Sequence, residues 1–175
     1  DQDLVLYLLV RHKKEELATY FATRCDVRDG EWYDNTSTLM MASEHGYLEI
    51  VQTLLGRGAD VHHTNNHDYT ALHKASKEGH IEVVRALLGA GADVRRGNII
   101  RDSPISCACQ GKHMEVFRAL VEAGGDVNTP DSNGDTALHD ASAHGFTEGV
   151  RYLVERGADV NKSYTGGNGD TPLTL

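Results

Sequence analysis

At 175 residues, with 39% apolar content and a formal charge of −9, the chain is large enough to bury a continuous core. Its charge has the wrong sign for a nucleic-acid backbone as main partner, because phosphate contacts need clustered Lys and Arg. Three cysteines, Cys25, Cys107 and Cys109, are an odd count without a disulfide framework, which points to a reducing compartment, the cytoplasm or the nucleus.

The chain begins with a seven-residue apolar run, Leu4-Val-Leu-Tyr-Leu-Leu-Val10, followed by Arg11-His-Lys-Lys14. The run is too short to span a membrane, and its positive charges lie on the wrong side for a secretory signal. It predicts a buried first helix, with Leu17, Tyr20 and Phe21 on a second. Beyond it the sequence repeats. Thr70-Ala-Leu-His-Lys-Ala-Ser-Lys-Glu-Gly79 recurs 66 residues later as Thr136-Ala-Leu-His-Asp-Ala-Ser-Ala-His-Gly145. At the half-step of 33 stand Ser103-Pro-Ile-Ser-Cys-Ala-Cys109, and one step upstream stand Ser37-Thr-Leu-Met-Met-Ala-Ser43. Gly58-Ala-Asp-Val, Gly91-Ala-Asp-Val, Gly124-Gly-Asp-Val and Gly157-Ala-Asp-Val keep the same 33-residue spacing. A fixed period of this length predicts a solenoid, in which each unit buries its apolar face only against its neighbours.

Residues 70–97 define the unit. Leu72 and Ala75 mark one face of a short helix, and Gly79 ends it in the left-handed conformation. Ile81, Val84, Leu87 and Leu88 form the stripe of a second helix. Gly91 closes that helix, and Ala92-Asp93-Val94 leads into a projecting loop. The position just before each Xaa-Thr/Ser start holds Asn35, Asp68, Arg101, Gly134 and Gly169, mostly residues that accept positive φ, so a tight turn is predicted there. Residues 98–130 are the irregular unit. They carry Arg101 at the turn, Ser106 where His73 and His139 stand, and Lys112 where Gly46, Gly79 and Gly145 stand. A shift of the helix-ending turn onto Gly111 would absorb that last change.

Four in-register copies of this pattern resemble the ankyrin-repeat family. The match is close over residues 65–97 and 131–161 and looser over 32–64 and 98–130. The expected organisation is a degenerate helical repeat over 1–31, repeats over 32–64, 65–97, 98–130 (irregular) and 131–164, and the start of a truncated repeat over 165–175. The resemblance implies an all-α repeat solenoid of helix-turn-helix units with projecting β-hairpin or loop fingers. It further implies that His73 and His139, with His80 and His113, hydrogen-bond the backbone between repeats. The restart at Asn168-Gly-Asp-Thr-Pro-Leu173 suggests a monomeric fragment of a longer array.

Nothing has the spacing of a catalytic or metal site. His62, His63 and His67 stand on a loop without a cysteine or carboxylate at ligand spacing. Cys107 and Cys109 lie two apart on a helix and face different ways, as buried thiols would. The loops are more informative: their tips read Trp32 and Tyr33, Asn66 and His67 with Tyr69, Ile99 and Ile100 beside Arg101, Ser132 and Asn133 with Asp135, and Tyr164, so the sole tryptophan and several large apolar residues sit away from the core. The resemblance adds the exposed side of each first helix, namely Glu44, His45, Lys77, Glu78, Gln110, Ala143 and His144. The expected function is a non-enzymatic scaffold or adaptor that binds a partner protein or peptide on its concave face, with no cofactor, no metal and no membrane insertion. Two alternatives stay open. One is a regulatory domain of a larger enzyme or channel; the other is nucleic-acid or anion binding, for which only Lys77, Arg95, Arg96 and Arg101 supply positive charge near the groove.

Overall fold

The computed structural model describes residues 2–25, 29, 32–100, 102–124, 126–132, 134–163 and 172. They form ten α-helices in five antiparallel pairs: α1 (Gln2–Arg11) with α2 (Glu15–Arg24), α3 (Thr38–His45) with α4 (Leu48–Gly56), α5 (Ala71–Glu78) with α6 (Ile81–Gly89), α7 (Pro104–Gly111) with α8 (Met114–Gly124), and α9 (Ala137–Ala143) with α10 (Thr147–Glu155). Odd-numbered helices stack on odd ones and even on even, in chain order. No strand pair forms among the described residues, so the projecting segments are hydrogen-bonded loops rather than β-hairpins, with one short 3₁₀ turn at Tyr33–Asn35.

Local chemistry sets the helix boundaries. Ser37, Thr70 and Ser103 are N-caps whose hydroxyls accept from the backbone N–H three residues on, the usual remedy for orphan helix donors. Pro104 begins α7 where its missing N–H carries no penalty. At the other end, Gly46 and Gly79 take the left-handed conformation that closes α3 and α5.

The core is a ladder of side chains at the 33-residue step. Leu6, Leu39, Leu72 and Leu138 are buried at one rung, and Leu54, Leu87, Leu120 and Leu153 at another. In the α6 stripe Val83, Val84 and Leu87 are buried, while Ile81 and Leu88 only pack against the edge of the core. The first pair departs from expectation. The inward residues of α2 are Ala18 and Ala22, and Leu17 and Tyr20 stand 59% and 58% exposed on its outer side.

Lys112 adopts the left-handed conformation itself (φ 56°), so the turn does not shift onto Gly111. The reason lies in packing. A Cβ on Gly111 would come within 2.8 Å of the Lys77 carbonyl and collide with the His113 ring. Gly111 is therefore committed to the close approach of α7 to α5, and the strain falls on Lys112, where a side chain costs on the order of 1 kcal/mol.

Three substitutions test this division of roles by urea unfolding. Gly111→Ala should lose about 1–3 kcal/mol through overpacking against backbone that cannot move. Gly89→Ala, at a helical position with open space around it, should gain about 0.5–1 kcal/mol. Lys112→Gly should also stabilise, by up to about 1 kcal/mol. By hydrogen exchange, residues 103–121 should open more readily than residues 70–88; equal protection would show that the strain at Lys112 is harmless.

Candidate functional site

The projecting loops are built alike. Each is closed by a backbone bond across five residues: Trp32 N–H to Thr36 O (3.1 Å), Asn65 to Tyr69 (3.1 Å), Asn98 to Asp102 (3.0 Å) and Asp131 to Asp135 (2.8 Å). Positive φ falls at Asn35, Asp68 and Gly134, as the turn position requires. A short polar side chain pins three of the loops from within. Asn65 Oδ1 accepts from the N–H groups of His67 and Tyr69, Asn98 Oδ1 from those of Ile100 and Asp102, and Asp131 Oδ1 from that of Asp135. These bonds spend the inward-facing positions on backbone satisfaction and leave the tips pointing outward.

Successive loops are also tied to one another. Asn66 N–H donates to Asp34 O and Ile99 N–H to His67 O. Asn35 Nδ2 donates to Thr64 O, and His63 Nε2 bonds Asn35 O at 2.7 Å. His67 Nδ1 lies 3.1 Å from the Asp34 carboxylate, an exposed pair that adds little stability.

The expected contact residues separate into distinct environments. Tyr33 is 84% exposed, and Ile99 and Ile100 are 56% and 63% exposed. Asn66 and His67 are exposed, and Asp135 is half-buried. Trp32 differs from its expectation as an open tip: it is half-buried, stacks on the Tyr7 ring at 4.8 Å and donates from Nε1 to Thr38 Oγ1. Tyr69 is also half-buried, edge-on to His73 with the Lys74 ammonium over its ring. Along the first helices, Lys77, Glu78, Gln110 and Ala143 are exposed, whereas Glu44, His45 and His144 are half-buried. Arg101, Asn133, Tyr164 and Gly169 lie outside the described residues, as does the restart of the motif apart from Pro172.

Two side chains of this face escaped the sequence reading. Lys74 reaches Glu44 Oε2 at 3.2 Å across two helix pairs, and Asp34 holds both His67 and Asn65. Lys74 was detectable in principle. It shares one register position with Met41, Cys107 and Asp140, a slot whose chemistry changes in every unit beside an alanine that repeats in all four.

The scaffold under this face is held by buried histidine. Thr70 N–H donates to His73 Nδ1 while Thr70 Oγ1 accepts from His73 N–H, a capping box with histidine in the usual Glu/Gln role. Because Nδ1 accepts, Nε2 carries the proton and donates to Asp102 O at 3.1 Å, joining α5 to the next loop. His80 and His113, the N-caps of the helix pairs' second members, reach back to Glu44 O and Lys77 O at 3.1 and 3.0 Å. Burial lowers His73 to about 4, since the imidazolium would be desolvated there. Cys107 and Cys109 are buried and unpaired; burial pushes the Cys107 thiol up to about 12 and Cys109 upward as well, which leaves both inert as nucleophiles at neutral pH.

With this geometry in view, the ankyrin-repeat family model matches residues 2–98 and 96–164. The chain belongs to the ankyrin-repeat family, whose members generally serve as protein–protein interaction modules. Comparison with curated proteins finds no match. No helix among the described residues is long and apolar enough to cross a membrane.

His73 makes stability pH-dependent with a definite sign. Its folded value is depressed below the unfolded one, so its contribution is fully present above about pH 6.5 and is lost as pH falls toward about 4. The loss amounts to about 3 kcal/mol. Urea midpoints of the parent and His73→Gln should therefore converge on acidification, with the parent losing more. Parallel curves would show that His73 does not titrate in this way.

Proposed function

We propose that this chain is a protein-binding module that takes a partner protein or peptide on the face formed by its loop tips and first helices. The observation that carries this reading is the exposure of Tyr33, Ile99 and Ile100 on hydrogen-bonded loops that hold them away from the stack. Large apolar side chains so placed gain nothing in the folded monomer and gain desolvation energy when a partner covers them. Aromatic residues dominate binding hot spots, and polar neighbours form the surrounding rim. Asn66, His67, Glu44, His45, Lys77, Glu78, Gln110 and His144 would supply that rim, together with Arg101, Asn133 and Asp135. Trp32 and Tyr69 would support the surface from beneath, given their ring contacts. The unpaired cysteines support a reducing compartment such as the cytoplasm or nucleus.

Partner capture by the 175-residue chain, identified by mass spectrometry and followed by affinity measurement, tests the reading. Tyr33→Ala and the pair Ile99→Ala, Ile100→Ala should each weaken binding by about 2 kcal/mol or more, roughly thirty-fold. Their unfolding free energies should stay within about 0.5 kcal/mol of the parent. Trp32→Ala should instead lower stability, because it removes the stack on Tyr7 and the bond to Thr38. Gln52→Ala, on the exposed side of α4, should alter neither quantity. Unchanged binding in both tip variants would move the partner site to the outer helices.

A further inference from the structure

We propose that the joint between the α7/α8 and α9/α10 pairs is a proton-controlled hinge, loosened when the Asp140 side chain ionises. The two joints before it, from α3/α4 to α5/α6 and from α5/α6 to α7/α8, carry polar ties that this one replaces. His80 and His113 at the starts of α6 and α8 bond the previous pair's carbonyls, but α10 is preceded by Phe146. His73 bonds Asp102 O, but its register partner Ser106 turns to His144 Nε2 at 3.0 Å. Asn66 and Ile99 donate to the tip of the preceding loop, at Asp34 O and His67 O. Ser132 donates instead to Arg95 O, five residues short of the equivalent Ile100. The outer side stays closed, because Phe117 meets Phe146 and Tyr152 edge-to-face at 5.3 and 6.1 Å. A joint anchored by aromatic rings on one side and retied on the other is built to open toward the loops.

Asp140 sits at the retied side, nine-tenths buried, with Ser103 Oγ donating to its Oδ2 at 3.3 Å. It borders a cavity of about 20 Å³ shared with Ser103, Asp131 and Asp135. Among the described residues, the ionisable groups around it are Asp102 before α7, Cys107 and Cys109 on α7, Arg95 after α6, Asp126 after α8, Asp131 and Asp135 in the last loop, and His144 closing α9. Arg95 is engaged with Gly124 O. The groups that act most on Asp140 are thus carboxylates, and with burial as the first cause they drive its carboxyl well above the ordinary carboxylate range. A folded value above the unfolded one means that the joint gains from the neutral acid at low pH. That gain disappears as pH rises through the folded value.

The two buried thiols of α7 feel the charge of Asp140 and serve as reporters of opening. With Cys25→Ser as background, the reaction of Cys107 and Cys109 with a disulfide reagent is measured from about pH 5 to about pH 8, each rate divided by that of the urea-unfolded chain. The ratio should rise about tenfold or more across this range, as expected for a pH-linked opening. It should stay flat in Asp140→Asn and in Asp140→Met, the latter borrowing the residue that α3 carries at the same register position. Amides of α5, on the side of α7 away from the joint, should keep constant protection factors throughout. The hinge is refuted if both variants retain the pH rise, or if α5 protection falls in parallel with thiol exposure and the whole stack unfolds together.

Discussion

No helix pair among the described residues can hide its own apolar residues. Each helix is only seven to eleven residues long, too short for independent stability in water. Every pair therefore depends on the pair or pairs beside it, and the 33-residue step of buried leucines is the physical form of that dependence. Order in the loops follows from it. Once α3, α5, α7 and α9 are stacked side by side, the segments leading into them must leave in the same direction and at the same spacing. Their backbone groups then find partners in the adjacent loop, as Asn66 does with Asp34 and Ile99 with His67.

This arrangement separates two tasks that compact globules usually mix. Stability resides in the helix ladder and in the ties of buried His73 and half-buried His80 and His113, whose ring nitrogens bond backbone carbonyls of the neighbouring pair. The proposed recognition surface would use side chains that the ladder does not use. Tyr33, Ile99 and Ile100 can change with little effect on the stack because Asn98, and the turn bonds around Tyr33, hold the loop shape without them. A histidine in the capping box fits this logic better than the usual glutamate. It satisfies the cap with one nitrogen and spans to the next loop with the other, and burial holds it neutral for both roles.

Much of this was legible in the residues. The repeat period, the glycines that close α3 and α5, and the positive-φ turns at Asn35, Asp68 and Gly134 follow from one-residue backbone preferences that neighbours do not override. Three features were not legible, each for a reason rooted in distance. Trp32 stacks on Tyr7 because the first pair lies within reach, a contact across 25 positions that no local pattern encodes. In α2 the inward face belongs to Ala18 and Ala22, because small residues allow close helix approach, while hydrophobicity alone favours Leu17 and Tyr20. At the end of α7 the left-handed residue is Lys112, because Gly111 is held by the Lys77 carbonyl and the His113 ring.

One register position shows how such an array acquires function without changing its fold. Met41, Lys74, Cys107 and Asp140 occupy equivalent places on α3, α5, α7 and α9, where the first helices meet. The same backbone slot thus holds a thioether, an ammonium paired with Glu44, a buried thiol and a buried carboxyl. Because each unit touches only its neighbours, a change in this slot alters one joint and leaves the others alone. Repetition secures the fold at the invariant positions, which frees this one to vary. The chemistry placed there sets what each joint packs against, from a Lys74 ammonium paired with Glu44 to the buried Cys107 thiol and Asp140 carboxyl.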